Sequence, residues 1–283
     1  MSKIKQLLFR IWAWVLFYLN AVTKYQIHSS FVFQWMMNVL EDRRNYYSFV
    51  AINQLRNKML DNNILVQVTD FGAGPNGALE NKTEPTLRQT TLHQIAQSSG
   101  STARQGEMLF KLAQLHQPKF TLELGTSVGL STLYLALGAG SKTNFISLEG
   151  CPKVADIARL NLRTLGVKQV NIITGAFEKT LENAVQSLER LDLVYFDGNH
   201  QEAATLRYFN ICLPKAHHDT VFIFDDVHWS VGMEAAWKKI CGHDRVTLSI
   251  DCGHFACAYF NPEFKIKQHF KVVRYSWKPW KVY

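Results

Sequence analysis

The stretch FTLELGTSVGLS, residues 120–131, is the most informative part of this sequence for its fold. It starts as an apolar run typical of a β-strand, passes through Glu123-Leu124-Gly125 into a turn of small residues, and enters a helical pattern at Leu130. A strand that stops at a glycine and leads into a helix start is expected to leave backbone N–H groups unpaired around a crevice that a ligand can approach closely. The stretch therefore predicts a ligand site, although an ordinary strand-turn-helix corner with two glycines would have the same pattern.

The spacing of the glycines narrows the class of ligand. A dinucleotide fingerprint needs G-x-G-x-x-G, but Ser127 stands two residues after Gly125 and the second glycine is Gly129. The Lys-Ser/Thr pair of a phosphate-binding P-loop is also missing from this stretch. Glu123, shortly before the first glycine, can accept hydrogen bonds from a cationic or hydroxyl-rich ligand. This combination suits S-adenosylmethionine, which carries an amino group, a sulfonium and a ribose diol.

The sequence after residue 131 alternates between strand and helix patterns. Such alternation predicts an α/β fold in which a doubly wound, mostly parallel sheet is covered by helices on both faces. The turn-forming residues Asp251-Cys252-Gly253 predict that the last two strands form an antiparallel edge hairpin, which gives a seven-stranded sheet. The strand patterns that follow the first one cover residues 144–148, 169–174, 193–196, 220–224, 245–250 and 254–260.

Each of the first five predicted strands ends in acidic or small residues. The carboxyl ends of parallel strands meet at one edge of a sheet, and ligands bind at that edge. A carboxylate at the end of a buried strand is costly unless it is paired or used, so a row of them favours a functional site. The residues at these positions are Glu123, Gly125, Glu149, Gly175, Ala176, Asp197, Asp225 and Asp226.

On these motifs the chain resembles the class I S-adenosylmethionine-dependent methyltransferases over roughly residues 104–260. It is most similar to the O-methyltransferases of the catechol and caffeoyl-CoA type and their bacterial relatives. The resemblance implies that the turn after the first strand cradles the methionine part of the cofactor, that Glu149 binds the ribose hydroxyls, and that the turn at 175–177 flanks the adenine. The implied cofactor-binding residues are Glu123, Gly125, Thr126, Ser127, Gly129, Ser131, Glu149, Gly175, Ala176, Phe177 and Asp197.

The same resemblance raises the question of a metal ion. In the metal-dependent branch, carboxylates after the fourth and fifth strands bind Mg²⁺, and Asp197, Asp225 and Asp226 fall on those positions. Hard oxygen ligands in this number suit Mg²⁺, which would bind an acceptor oxygen and lower its pKa. In the alternative interpretation Asp197 contacts the cofactor and the Asp pair only caps the following helix.

His200 is the candidate general base, with Asp197 as the second catalytic residue. Metal-dependent members of the family often place a lysine three residues after the first metal-binding aspartate, whereas this chain has Asp197-Gly198-Asn199-His200. Histidine is a credible base near neutral pH without a large pKa shift. The alternative is a residue at a helix N-terminus that only hydrogen bonds to a strand-end carboxylate.

The first 102 residues predict a helical N-terminal extension. Residues 7–22 are apolar but interrupted by Arg10 and Asn20, and they are too short for a membrane-spanning helix, which needs about 20 apolar residues. We expect this segment to pack on the enzyme domain or in a homodimer, with peripheral contact to a membrane surface as the alternative. No cleavage site of a signal peptide follows it. Residues 70–102 are expected to form a mobile lid or substrate loop over the domain at 103–262.

The charge of the chain is basic, with a formal net charge of +8 and a pI of about 9.2. The C-terminal tail, residues 263–283, mixes lysine and arginine with aromatic residues and is expected to be solvated, although such a tail could also contact nucleic acid. The five cysteines are odd in number and form no CxxC, which is typical of reduced thiols in a cytoplasmic protein.

The sequence therefore leaves three functional classes. The leading one is a methyltransferase that methylates the oxygen of a small hydroxylated acceptor, with or without Mg²⁺. The second is a methyltransferase that acts on RNA or protein. The third is a non-catalytic module that binds S-adenosylmethionine or associates with a membrane.

Overall fold

The computed structural model describes residues 3–70, 86–98 and 102–280. The helices are α1 Lys3–Asn20, α2 Ser30–Trp35, α3 Tyr47–Leu60, α4 Leu92–Ser98, α5 Ala103–His116, α6 Leu130–Ala139, α7 Pro152–Thr164, α8 Phe177–Ser187, α9 Glu202–Cys212 and α10 Val231–Gly242. The strands are β1 Leu65–Asp70, β2 Thr86–Thr91, β3 Phe120–Leu124, β4 Asn144–Glu149, β5 Val170–Thr174, β6 Leu191–Phe196, β7 Ala216–Asp225, β8 Leu248–Asp251, β9 Phe255–Tyr259 and β10 Gln268–Lys271. The predicted alternation of strand and helix is confirmed.

The chain divides into two compact units. The central unit is Arg44–Asn199, and the terminal unit combines Met1–Arg43 with His200–Tyr283. Eight strands are assigned to the large sheet, four in each unit.

The central unit contributes strands in the order β5-β4-β3-β6, all paired in parallel. Leu122 and Leu124 of β3 are fully buried, as expected for an apolar strand with a neighbour on each side. Helices α5 and α6 pack closely because glycines stand where they meet. A Cβ atom at Gly106 would overlap the Tyr134 ring, and one at Gly138 would overlap the carbonyl oxygen of Phe110.

An antiparallel pair precedes this sheet in the central unit and was not predicted. Strands β1 and β2 pair from Leu65↔Thr91 to Asp70↔Thr86. The polar sequence of β2, TLRQTT, has no apolar alternation that would reveal a strand. Residues 71–85 and 99–101 of the predicted lid lie outside the described residues, so the lid stays a prediction.

The terminal unit contributes strands in the order β7-β9-β8-β10. Strands β8 and β9 form the predicted antiparallel hairpin, but β9 pairs with β7 and β10 pairs in parallel with β8. The prediction of seven strands with this hairpin at the edge was therefore wrong by one strand. The sequence of β10, QHFK, has too little apolar pattern to identify it, and its pairing with β8 defines it.

The C-terminal segment packs against α1 within the terminal unit. Phe17, Ala21 and Val273 form a buried cluster, with Trp277 packed against it. The Lys278 ammonium donates to the carbonyl oxygen of Ala21 at 2.8 Å, and this lysine is only 2% exposed. The expectation of a solvated tail was wrong for this part of it, because the tail's apolar residues supply half of a small core.

The N-terminal extension is helical, as predicted, with α1, α2 and α3 before the first strand. Among the described residues, no helix combines the length and the apolar character needed to cross a membrane.

Candidate active site

The turn after β3 begins at a position that only glycine can fill. Gly125 has φ +104°, and a Cβ atom there would overlap the carbonyl oxygen of Asp197 after β6. The amide of Asp197 donates to the carbonyl oxygen of Leu124 at 2.9 Å. The ends of β3 and β6 are therefore in direct backbone contact, which brings two of the predicted site residues together.

The rest of this turn is fixed by its own hydrogen bonds. The amides of Gly125 and Thr126 donate to the carbonyl oxygen of Leu148 at 3.0 and 3.1 Å, and the amide of Gly129 donates to that of Thr126 at 2.8 Å. Ser127 has φ +46° and Gly129 has φ +86°, both left-handed. The expectation of unpaired N–H groups was wrong for these amides, since β4 and the turn itself supply their acceptors.

Glu123 is fully buried and holds the turn to its neighbours. Its carboxylate accepts hydrogen bonds from the hydroxyls of Ser131 at 2.7 Å, Thr132 at 2.5 Å and Ser147 at 2.6 Å. Burial raises the pKa of Glu123 to about 7, although these hydroxyls oppose the shift. Because Glu123 is 0% exposed and lies beneath these hydroxyls, the geometry makes it a residue that positions the turn.

Glu149 at the end of β4 also supports the turn, but it is only partly buried. Its Oε2 accepts from the amide of Ser127 at 2.8 Å, and its Oε1 accepts from the amide of Cys151 at 2.8 Å. Burial raises the pKa of Glu149, and the backbone amides oppose the rise. A carboxylate oxygen can accept a second hydrogen bond, so Glu149 can still bind a hydroxyl group.

The turn after β5 contacts the loop after β6. The amide of Gly175 donates to the carbonyl oxygen of Glu149 at 2.9 Å, which joins β5 to the end of β4. Phe177, the first residue of α8 after Ala176, has its ring so close to Gly198 that a Cβ atom at 198 would overlap it. The predicted residues of the central unit thus form one continuous layer over the carboxyl ends of β3, β4, β5 and β6.

Cys151 is a residue of this layer that the sequence did not reveal. Its thiol is buried and accepts a hydrogen bond from the amide of Thr69 in β1 at 3.3 Å. The thiol also lies 3.9 Å from the carbonyl oxygen of Gln67. A single residue therefore connects Glu149 to the β1–β2 hairpin, and no local pattern signals a contact across this many residues.

The remaining predicted site residues belong to the terminal unit. Asp225 is the last residue of β7 and is 1% exposed, and Asp226 follows it with φ +52°. Burial lowers the pKa of His200, while the negative charge of Asp226 opposes this. His200 and Asp226 therefore interact electrostatically, and the imidazole of His200 is neutral at neutral pH.

The alternative role of the Asp pair as a helix cap is not supported. The residue that caps α10 is Ser230, whose hydroxyl accepts from the amide of Met233 at 3.1 Å. Asp226 instead accepts from the amide of Trp229 at its backbone carbonyl, 2.9 Å away. The side chains of the pair thus lie outside the cap of α10.

His228, which follows this pair, is held by two carboxylates. Its Nδ1 lies 3.0 Å from Glu234 Oε1 and its Nε2 lies 2.9 Å from Asp251 Oδ2. Burial would lower the pKa of His228, but the hydrogen bonds and charges of these two carboxylates raise it to about 9. Next to His228, the Arg10 guanidinium lies 3.2 Å from the centre of the Trp229 ring. Arg10 and Trp229 therefore pack against each other within the terminal unit.

Comparison with known proteins identifies relatives of the part of the chain that contains these strand ends. Residues 122–227 match the family described as Methyltransferase domain. A catechol O-methyltransferase of Mycobacterium tuberculosis is 34% identical over 127 residues, 44% of this chain and 56% of that relative. The chain spans the same 56% of a second catechol O-methyltransferase, from Niastella koreensis, at 34% identity.

Solved structures share the fold. The cofactor-bound Rv0187 from MTB is similar to 58% of this chain and 82% of its own, with TM-score 0.50 and 27% identity. An O-methyltransferase from Bacillus cereus in complex with SAH covers 81% of this chain and 97% of its own, with TM-score 0.55 and 20% identity. Residues 122–227 therefore match a methyltransferase domain, and the chain shares its fold with solved structures of O-methyltransferases.

Proposed function

We propose that this protein is an S-adenosylmethionine-dependent O-methyltransferase that acts on a small hydroxylated acceptor. The observation that carries the proposal is the turn after β3. Three of its residues, Gly125, Ser127 and Gly129, have left-handed backbone, and the carboxylates of Glu123 and Glu149 hold it in place. A turn fixed in this way is suited to a ligand that approaches the main chain. The 34% identity to a catechol O-methyltransferase supports the reaction class.

The central unit offers a site that fits the cofactor. Thr126, Ser127 and Ser131 would contact the methionine part, with Glu123 supporting them from beneath. Glu149 would accept hydrogen bonds from the ribose hydroxyls with the lone pairs its amide partners leave available. The turn of Gly175, Ala176 and Phe177 would flank the adenine, for which an aromatic ring offers a stacking surface.

The acceptor must lose a proton when its oxygen takes the methyl group. S-adenosylmethionine supplies an activated methyl group, so the protein has to align the acceptor and receive the proton. His200 is neutral because burial lowers its pKa, and a neutral imidazole can accept that proton. Asp197, in backbone contact with Gly125, is the second residue to which we assign a catalytic role.

A divalent cation is the second component of the proposal. Asp197, Asp225 and Asp226 would supply the hard oxygen ligands that Mg²⁺ prefers. Bound Mg²⁺ would lower the pKa of the acceptor hydroxyl.

Calorimetry followed by a turnover assay tests the proposal. We expect S-adenosylhomocysteine to bind the purified protein, and labelled methyl groups to pass to a catechol but not to RNA. Removal of divalent cations with EDTA should stop the transfer, and added Mg²⁺ should restore it. Absence of nucleoside binding, or transfer to RNA alone, would contradict the proposal.

Replacement of His200 tests the role of the base. We expect His200→Ala to lower kcat by about 10²- to 10⁴-fold and to leave the affinity for S-adenosylhomocysteine unchanged. The acidic limb of the pH–rate profile, where the wild-type imidazole loses its proton, should disappear in the variant. His218→Ala, at an exposed histidine on β7, is the matched control and should keep the wild-type profile.

A further inference from the structure

Helix α1 exposes an apolar face. Eight of its apolar residues are 43–72% exposed, and they are Ile4, Leu7, Leu8, Ile11, Trp12, Trp14, Val15 and Leu19. The opposite face is buried through Ala13 at 3% and Phe17 at 1%. Scattered exposed apolar residues are normal on a protein surface, but eight on one helix form a contiguous patch of the kind that marks an interaction site.

The helix is held firmly by its buried face. The Phe17 ring lies 5.6 Å from the His228 ring, and Tyr18 donates its hydroxyl proton to the carbonyl oxygen of Trp277 at 2.6 Å. Arg10 Nε donates to the carbonyl oxygen of Trp229 at 3.2 Å. A rotation that turned the apolar face inward would break all of these contacts, so the face stays available to a partner.

The order of residues on the exposed face is that of a helix lying in the plane of a membrane surface. At about 100° per residue, Trp12 and Trp14 lie about 160° apart, with Ile4, Ile11 and Val15 between them. Tryptophan at both borders of an aliphatic stripe places each indole at the level of the lipid headgroups. A groove of about 620 Å³ extends the face toward α10, and it is lined by Lys5, Leu8, Phe9, Ile11, Trp12, Val15 and Val231.

The charge of this part of the chain favours an anionic lipid surface over a second copy of the same face. The first 40 residues contain no aspartate or glutamate and four basic residues, Lys3, Lys5, Arg10 and Lys24, of which Arg10 lies on the buried side against Trp229. The whole chain carries a formal net charge of +8. A second copy of the same face would bring together two stretches that contain basic residues and no aspartate or glutamate, whereas anionic lipid headgroups would attract them.

We propose that α1 docks this protein on anionic lipid bilayers, with its apolar face in the boundary between headgroups and acyl chains. Apolar burial and attraction to anionic lipid act together in such binding, so each alone is weaker. The Lys5 ammonium, which is exposed beside the groove, meets the lipid phosphates while the groove receives acyl carbons.

Flotation of the full-length protein with vesicles tests this inference. We expect the protein to float with vesicles of phosphatidylcholine and phosphatidylglycerol, and to float about tenfold less with phosphatidylcholine alone or in high salt. The double variant Leu8→Gln/Ile11→Gln should lose most of the flotation. The matched control Val50→Gln/Leu160→Gln, which changes two exposed apolar residues of the central unit, should float like the wild type.

Three results would overturn the inference. They are no flotation of the wild type, equal flotation of the α1 variant and the control, or a wild-type dimer in sedimentation that the α1 variant alone converts to monomer. The last result would assign the face to a second copy. Thermal melts of both double variants establish that each is folded, since all four positions are exposed.

Discussion

Two loops of this molecule share a left-handed residue that is not glycine, but different side chains surround them. The turn after β3 in the central unit and the loop after β7 in the terminal unit each contain a non-glycine residue in left-handed backbone, Ser127 at φ +46° and Asp226 at φ +52°. Hydroxyl groups and amides around two glutamates hold the first loop. A charged histidine, His228, lies between two carboxylates beside the second.

The comparison shows two ways in which a buried carboxyl group is stabilised. Glu123 is shielded from water completely, and its pKa of about 7 means that it is largely protonated in mildly acidic solution. Asp251 is almost as deeply buried, but its side chain lies 2.9 Å from the imidazole of His228, whose pKa is raised to about 9. The stability contributed by each loop should therefore fall as the pH rises. In the first loop Glu123 becomes charged while buried, and beside the second loop His228 loses its charge.

The largest effect is expected at Gly125. Replacement by alanine adds a Cβ atom against a backbone oxygen that cannot move aside cheaply, and it forces alanine to φ +104°. We expect Gly125→Ala to lower the free energy of unfolding by about 4 kcal/mol or more. Gly140→Ala is the matched control because Gly140 has φ +85° but nothing within 4 Å of the added atom. It should lose only the strain, about 1–2 kcal/mol, in urea titrations of both variants.

Glu123→Gln tests the first loop by pH. The folded-state pKa of about 7 lies above the ordinary pKa of 4.5, so the stabilisation from proton uptake is complete below pH 4.5 and is lost as the pH rises through 7. The wild type should therefore lose roughly 3 kcal/mol relative to the glutamine variant across this range. Denaturant titrations at several pH values measure the difference, and a constant difference would mean that Glu123 is ionised throughout.

His228→Gln tests the second loop and should have a smaller effect. The pKa is raised from 6.5 to about 9, so the stabilisation from the charged imidazole is present below pH 6.5 and is lost as the pH rises through 9. We expect the wild type to exceed the variant by about 2 kcal/mol at pH 6, less than the full shift would give because Glu234 is 36% exposed.

The control for this measurement is an ion pair at the surface. Lys239→Gln removes the contact of Lys239 with Glu202, whose side chains are 64% and 36% exposed. Its loss should cost less than about 1 kcal/mol. If both variants lose the same stability, the carboxylates around His228 contribute no more than a surface contact.

The sequence predicted the local features of the fold better than the long-range ones. The strand, turn and helix at 120–139 follow from apolar runs and glycine positions, and the structure confirms them. The acceptors for the amides of Gly125, Thr126 and Ser127 lie in β4, more than 20 residues away, so no local pattern could show that these groups are occupied. The strand β10 and the packed Lys278 were missed for the same reason, since each depends on a contact with a distant segment.

Alkylation of the Cys151 thiol can measure how often the β1–β2 hairpin opens. Because this thiol is buried between the end of β4 and β1, a labelling reagent can reach it only when the β1–β2 hairpin separates from α7 and its preceding loop. In the limit of fast reagent, the alkylation rate of this one sulfur equals the opening rate of the hairpin. The protein thus carries its own reporter of how often this hairpin lifts away, and a nucleoside seated on Glu149 should slow the reaction.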